Sequence, residues 1–231
     1  MKRISLIAIA FFIMSSFLFG QENQDWANLK RFQEENEKLG QQTPGDFALR
    51  VVFMGNSITE GWLRHSPEFF KNSSYINRGI SGQTTPQMLL RFRQDVVQLE
   101  PNVVVLLAGT NDIAGNTGPS TLEMIENNIA SMCEIAEANG IDVLLCSVLP
   151  AYDYPWKPGL EPAEKIKKLN QWIKDFAEVN EWPYVDYYSA MVDERGGLPK
   201  KYSEDGVHPN KSGYAIMERI LKDVLKKYFN Q

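Results

Sequence analysis

Five short apolar runs, each followed by a longer stretch of helical periodicity, constrain the fold most strongly. Continuous Val, Ile and Leu runs of this length are typical of strands that are buried on both faces. Their alternation with helices predicts β-α units around a parallel sheet. The predicted strands are Leu49 to Met54, Tyr75 to Asn77, Val103 to Ala108, Val143 to Val148 and Tyr184 to Val185. We therefore predict an α/β fold, a three-layer α/β/α sandwich with a five-stranded parallel sheet.

The predicted helices carry aliphatic stripes, which we interpret as faces toward the core. They are Trp26 to Leu39, Thr85 to Leu99, Ser120 to Asn139, Glu161 to Val179 and Ser212 to Tyr228. Ser120 and Glu123 have the spacing of a capping box, and Pro162 falls in the first turn of its helix. The stretch Phe47 to Trp62 predicts a strand, a tight turn and a further helix.

The first 20 residues predict a cleaved secretory signal peptide, because Lys2 and Arg3 precede the apolar run Ile4 to Phe19. This run is shorter than the roughly 20 residues that a membrane crossing needs. A retained membrane anchor is the alternative. We predict a signal peptide over 1–20, an N-terminal helix and connector over 21–45, and one α/β domain over 46–231. With cleavage near Gly20, the protein would be secreted or periplasmic, without a stable membrane span.

The formal net charge of -5 becomes -7 once the two basic residues of the signal peptide are removed. Such an acidic chain argues against nucleic acid as a partner, since phosphates require a basic surface. It favours neutral or cationic substrates. Cys133 and Cys146 are predicted to be buried free thiols, although export would permit a disulfide. Two Cys and two His, widely scattered, give no metal-ligand cluster, and we expect no cofactor.

Polar residues follow the predicted strands, at the edge of the sheet where open α/β folds place their sites. The segments are Gly55-Asn56-Ser57, Arg78 to Gly82, Gly109 to Asp112, Pro150 to Gly159 and Asp205 to Asn210. Acyl transfer needs a nucleophile, a base and a group that orients the base. Ser57, His208 and Asp205 supply one candidate for each. The alternative is that these are ordinary cap and turn residues.

Donors for a developing oxyanion are also present at this edge. The candidates are the backbone N–H groups of Ser57 and Gly82 and the side-chain amide of Asn111. Glycine at position 82 lets the backbone approach a ligand closely. The alternative for Asn111 is a turn amide that satisfies local backbone.

Four ordered blocks resemble those of the SGNH hydrolases, the GDSL esterase and lipase superfamily. They are Gly55 to Thr59, Asn77 to Gly82, Gly109 to Asp112 and Asp205 to Asn210. The resemblance implies a Ser57, Asp205 and His208 triad, with Gly82 and Asn111 as oxyanion donors. It also implies a flavodoxin-like sheet of order 2-1-3-4-5. Asn56 replaces the Asp of the GDS signature, a variant of the acylhydrolase-like branch. Thr59 argues against the G-x-S-x-G elbow of α/β-hydrolases.

An aromatic, proline-rich loop at the same edge carries Tyr152, Tyr154 and Trp156. Together with Trp62, these rings are candidates for stacking on a sugar, which favours an acetylated carbohydrate as the substrate. The sequence shows no extended apolar lid or insertion, which favours small acyl groups over long chains. The alternative is that the rings only stiffen the loop. A lysophospholipase or thioesterase with longer acyl chains, or a non-catalytic glycan-binding module, also stays open. His65 has no acidic partner three residues before it, and we assign it no catalytic role. The sequence does not determine the oligomeric state.

Overall fold

The computed structural model describes residues 25–40, 49–72 and 74–229. Five parallel strands form one sheet in the order β2-β1-β3-β4-β5. The strands are β1 Val51–Gly55, β2 Tyr75–Gly79, β3 Val103–Leu107, β4 Asp142–Cys146 and β5 Tyr184–Val185. This confirms the predicted fold class and strand order. The predicted signal peptide and the boundary at 45/46 lie outside the described residues.

Helices cover both faces of this sheet. They are α1 Gln33–Gly40, α2 Ser57–His65, α3 Thr85–Asp95, α4 Thr110–Ala114, α5 Leu122–Glu137, α6 Ala163–Val179, α7 Tyr187–Met191 and α8 Lys211–Phe229. Two 3₁₀ turns span Pro67–Lys71 and Val97–Leu99. The short helices α4 and α7 were not predicted from the sequence, because five residues are too few to show a helical period.

Alternate residues along each strand point to opposite faces of the sheet, so each face has its own core. Val52 and Met54 of β1 face α3, α5 and α6, whereas Val51 and Phe53 face α2 and α8. All five residues of β1 and of β3 are buried. The three predicted layers are therefore present, and burial on both faces explains why the strands are continuous apolar runs.

The N-terminal segment is less helical than predicted. Only Gln33–Gly40 is α-helical, and residues 26–32 form turns. The Asp25 carboxylate accepts hydrogen bonds from the N–H groups of Leu29 and Lys30 at 2.7 and 2.8 Å. Asn28 adopts a left-handed conformation with φ of 57°. These local bonds compete with a regular helix over the first half of the segment.

Two helix starts also differ from the prediction. The cap of α5 is Thr121, whose hydroxyl accepts a hydrogen bond from the Met124 N–H at 3.2 Å, so the predicted capping box at Ser120 is wrong. Pro162 is the N-cap of α6 and not a residue of its first turn. Both helices begin one or two residues later than predicted.

Both cysteines are buried free thiols, as predicted. Burial raises the pKa of Cys146 to about 12, so this thiol stays protonated at neutral pH. Within the described ranges, no helix combines the length and apolar character that a membrane crossing requires.

Candidate active site

Ser57 is the first residue of α2 and follows the end of β1 by two positions. Asn56 caps this helix, because its side-chain oxygen accepts a hydrogen bond from the Ile58 N–H at 3.0 Å. Gly55 permits the sharp turn, since a Cβ there would overlap the Thr59 side chain. The Ser57 hydroxyl is therefore fixed at the carboxyl edge of the sheet by a capped helix packed on glycine.

The structure brings Ser57, His208 and Asp205 into one hydrogen-bonded chain. Ser57 Oγ lies 2.9 Å from His208 Nε2, and His208 Nδ1 lies 2.7 Å from Asp205 Oδ2. The other Asp205 oxygen accepts the backbone N–H groups of Val207 and His208 at 2.9 and 2.8 Å. This is the arrangement in which a serine hydroxyl can transfer its proton to an oriented imidazole.

Asp205 remains ionised at neutral pH. Partial burial raises the pKa of this carboxyl, but hydrogen bonds from the His208 ring and from the His208 and Val207 N–H groups outweigh that effect and lower the pKa to about 2. An ionised carboxylate at this distance holds the proton on Nδ1, which leaves Nε2 free to accept from Ser57.

The predicted oxyanion donors lie just after three strands: Ser57 begins α2, Gly82 is in the loop after β2, and Asn111 is in α4. Gly82 has a φ of 79° and open space where a Cβ would stand. Asn111 is buried, and its side-chain nitrogen donates one hydrogen to the Gln83 carbonyl at 2.9 Å. An amide nitrogen carries two hydrogens, so the second is available to a ligand. Among the described residues, no backbone carbonyl accepts a hydrogen bond from the N–H group of Ser57 or Gly82.

A buried arginine that was not predicted from the sequence connects the ends of β1 and β2 to Gln83. Arg91 donates to the carbonyls of Gly55 and Arg78 at 3.0 and 2.9 Å and to the Gln83 side chain at 2.5 Å. It also forms an ion pair with the buried Asp95 at 3.0 Å. Burial lowers the pKa of Arg91 to about 10 despite Asp95, so the guanidinium stays charged at neutral pH. The i,i+4 spacing of Arg91 and Asp95 beside the apolar residues of α3 is the signal that could have revealed the pair.

Asp112 forms a second buried tie. Its carboxylate accepts the Thr85 N–H at 2.9 Å and the Thr85 hydroxyl at 2.6 Å, which fastens α4 to the start of α3. Burial raises the pKa of Asp112 to about 6, although the hydrogen bonds from Thr85 oppose this shift.

A polar cleft of about 490 Å³ opens in front of Ser57. Every residue that lines it is polar, charged or glycine: Ser57, Glu60, Gly61, Arg64, Ser81 and His208. Glu60 and Arg64 were not identified from the sequence. The helical spacing of Ser57, Gly61 and Arg64 is the signal that could have found this face of α2.

Two of the predicted aromatic contacts are exposed near the triad. Trp156 is 44% exposed, and its ring centroid lies 6.0 Å from that of His208. It stacks on Tyr154 at 5.0 Å and donates to Asn116 at 3.1 Å, so its orientation is fixed. Tyr152 is 49% exposed beside Arg195, whose guanidinium lies 5.2 Å from its ring centroid.

The other two predicted aromatic contacts do not reach the cleft. Trp62 is 2% exposed in the core beneath α2, where its indole nitrogen donates to Glu218 at 3.2 Å. Tyr154 is fully buried, and its hydroxyl pairs with Thr110 at 2.9 Å. The hypothesis that these two rings contact substrate is therefore corrected: they support the surface from below.

His65 lies away from the triad. Its ring stacks on Tyr214 with 5.5 Å between the centroids, and Nε2 lies 3.3 Å from an Arg64 nitrogen. Over the described ranges, no group of three His, Cys, Asp or Glu side chains is placed to hold a metal ion.

The sequence profile of the GDSL-like lipase/acylhydrolase family matches residues 53–216. The chain belongs to this family. A crystal structure of a GDSL-like lipase from Bacteroides thetaiotaomicron is 50% identical and covers 88% of this chain and 100% of that chain, with a TM-score of 0.84. This family membership and the named esterases among the relatives make the protein an ester hydrolase of the SGNH superfamily.

Two curated relatives carry esterase names. Esterase TesA of Pseudomonas aeruginosa is 27% identical over 176 residues, which is 74% of this chain and 79% of that protein. An acetylxylan esterase of Xylanibacter ruminicola is 24% identical over 219 residues, which is 79% of this chain and 44% of that enzyme. The chain thus spans less than half of the acetylxylan esterase.

Proposed function

We propose that this protein removes small acyl groups, acetyl foremost, from carbohydrate through a Ser57, Asp205 and His208 triad. The observation that carries the proposal is the hydrogen-bonded chain from Ser57 Oγ through His208 to Asp205, at 2.9 and 2.7 Å, opening into a polar cleft. Tyr152 and Trp156 are the exposed rings proposed to contact the sugar.

In the proposed reaction, His208 Nε2 takes the proton of the Ser57 hydroxyl as its oxygen attacks the ester carbonyl. The N–H groups of Ser57 and Gly82 and the Asn111 amide stabilise the oxyanion of the tetrahedral intermediate. His208 returns the proton to the leaving alcohol, and an acyl-serine remains. Water, deprotonated by the same imidazole, then attacks the acyl group and regenerates Ser57.

The lining of the cleft favours a short acyl group and a hydroxyl-rich acceptor. A long acyl chain gains its binding energy by burying apolar surface, and among the described residues no aliphatic side chain and no Phe, Tyr or Trp lines the cleft in front of Ser57. Sugar hydroxyls, by contrast, pair with polar walls. The acetylxylan esterase among the relatives supports the same acceptor.

The basic start, the apolar run and the polar residues after Gly20 form the pattern of a secretory signal peptide. We therefore infer a secreted or periplasmic enzyme. N-terminal sequencing of exported protein tests this inference, and a chain that retains residues 1–20 would contradict it.

The activity is tested with nitrophenyl esters of increasing chain length and with acetylated oligosaccharides. We expect turnover of acetyl esters, weaker turnover of butyryl esters, and loss of activity in Ser57→Ala by about 10⁴-fold or more. Full activity in Ser57→Ala would contradict the triad, and preference for long chains would favour a lysophospholipase or thioesterase. A protein that is inert toward every ester but binds glycan would be a binding module.

A further inference from the structure

The cleft in front of Ser57 contains one arginine that forms no ion pair with any residue that the structure describes. Its two charged side chains are Glu60 and Arg64. Glu60 is already engaged, because one oxygen accepts the N–H and the hydroxyl of Ser81 and the other lies 3.7 Å from Arg31. An Arg64 nitrogen lies 3.3 Å from His65 Nε2, and among the described residues no carboxylate lies within ion-pair distance of Arg64.

Arg64 lies on the same helix as Ser57 and lines the same cleft. Ser57 and Arg64 are seven residues apart, which is roughly two helical turns, or about 10 Å along the axis, on the same face. Gly61 lies between them and leaves the floor open, and a Cβ there would approach the Tyr214 hydroxyl to 2.8 Å. An acetyl group carries no charge, so an anionic partner of Arg64 belongs to the acceptor.

We propose that Arg64 binds a carboxylate on the acceptor, so that the preferred substrate is an acylated glycan with a uronic acid beside the esterified sugar. This inference rests on the proposed function. The guanidinium fork matches a carboxylate with two parallel hydrogen bonds. Because this contact is local, it can select an acidic substrate even though the whole chain is acidic, with a net charge of -5. Overall charge therefore does not decide the preferred substrate.

A matched pair of substrates tests the inference. One is an acetylated oligosaccharide that carries a uronic acid, and the other is the same oligosaccharide after its carboxyl group has been reduced to an alcohol. We expect wild-type enzyme to prefer the acidic form by about tenfold in kcat/KM, from one charge-assisted contact. The preference should decrease as salt is raised, since the contact is exposed to solvent.

Arg64→Gln should bring the ratio of the two kcat/KM values close to one, and Arg64→Lys should retain part of it. Arg93→Gln removes an exposed arginine of α3 that does not line the cleft, and it should keep the full ratio. Equal turnover of both forms by wild type, or an unchanged ratio in Arg64→Gln, would overturn the subsite while leaving the esterase proposal intact. Wild-type enzyme inert toward both sugars and toward nitrophenyl acetate would instead sink the proposed function.

Discussion

The two halves of the candidate site are held in different ways. The half that carries Ser57 is fixed by contacts from distant parts of the chain: Arg91, the Asn77 amide on the Thr59 carbonyl at 2.7 Å, and the Tyr214 hydroxyl on the Ile58 carbonyl at 2.7 Å. The half that carries Asp205 and His208 is a surface loop, and both side chains are 40% exposed.

This loop is stabilised mainly by its own residues. The Ser203 hydroxyl donates to Asp205 at 3.0 Å and accepts a hydrogen bond from the Gly206 N–H at 2.9 Å. An isolated antiparallel β-bridge also pairs Ser203 with Pro209. The proposed nucleophile and oxyanion donors therefore depend on the folded core, whereas the proposed acid-base pair depends on local hydrogen bonds. Substitutions in the two halves should therefore separate loss of activity from loss of stability.

The largest expected effect on activity comes from the loop half. Asp205→Asn can still accept the backbone N–H groups but cannot stabilise a protonated His208, so kcat on an acetyl ester should fall by about 10⁴-fold. The free energy of unfolding should fall much less than when the buried Arg91–Asp95 pair is broken, because the Asp205 side chain is 40% exposed. A fall of less than tenfold, measured on protein with a normal thermal melt, would contradict the assigned role.

Substitutions in the half that carries Ser57 should mainly lower the free energy of unfolding. Arg91→Met leaves the buried Asp95 without its partner, which should lower the free energy of unfolding by about 3–5 kcal/mol in chemical denaturation. The double variant Arg91→Met/Asp95→Leu removes both charges and should recover part of this loss. If the single variant is as stable as wild type, the nucleophile half does not depend on this ion pair.

The Asn111 amide belongs to the same half but acts on the reaction itself. Asn111→Ala removes one oxyanion donor and should lower kcat by about 10²- to 10³-fold. Asn139→Ala, which removes an exposed amide at the end of α5, is the matched control and should keep wild-type turnover. Equal rates in the two variants would remove Asn111 from the proposed mechanism.

The carboxylates of the two halves should give opposite pH dependences of stability. The pKa of Asp112 is about 6 in the folded protein, above its usual value of 3.8. Protonation of Asp112 therefore stabilises the folded state, and this stabilisation is lost as pH rises from about 4 to 6. Asp205 has a folded pKa of about 2, so its contribution is complete above pH 4 and is lost only as pH falls toward 2.

Chemical denaturation at pH 4, 5 and 6 distinguishes the two carboxylates. Asp112→Asn should remove a pH-dependent change in unfolding free energy of the order of 2 kcal/mol across this window. Asp205→Asn should leave the change in this window as it is in wild type. The reverse pattern would show that the loop half, and not the core half, contains the pH-sensitive carboxylate.

His65→Gln should have the smallest effect. It removes a ring that stacks on Tyr214, which should cost about 0.5–1.5 kcal/mol of stability. Turnover of nitrophenyl acetate should stay within about twofold of wild type, because His65 does not contact the triad. A large loss of kcat in a well-folded variant would contradict this assignment.

Much of the site was predictable because its residues follow strands. Ser57, Gly82 and Asn111 each follow a strand at the sheet edge, and the spacing of Asp205 and His208 allows their pairing. Helix geometry also predicts that Trp62 does not share the face of α2 that carries Ser57, and so does not line the cleft. Five residues rotate a helix by about 500°, which places Trp62 roughly 140° around the axis from Ser57.

The rest depends on tertiary contacts that no local pattern records. Amphipathic analysis assigns charged residues of a helix to solvent, so it overlooks Arg91. This side chain is buried where the ends of β1 and β2 and the Gln83 side chain present oxygen atoms to it. Tyr154 and Tyr152 are neighbours in a short loop, yet one is buried and the other half exposed. Sequence spacing does not determine which ring turns inward.

The hydrogen bond from Tyr214 to the Ile58 carbonyl has a consequence for biosynthesis. Every residue of the proposed triad has been synthesised once translation passes Asn210, but α8, which supplies this bond and covers one face of the sheet, is added afterwards. A ribosome-bound chain that ends before Lys211 should therefore hold the three side chains without fixing the first turn of α2. Addition of α8, and not synthesis of the three triad residues, would then complete the site.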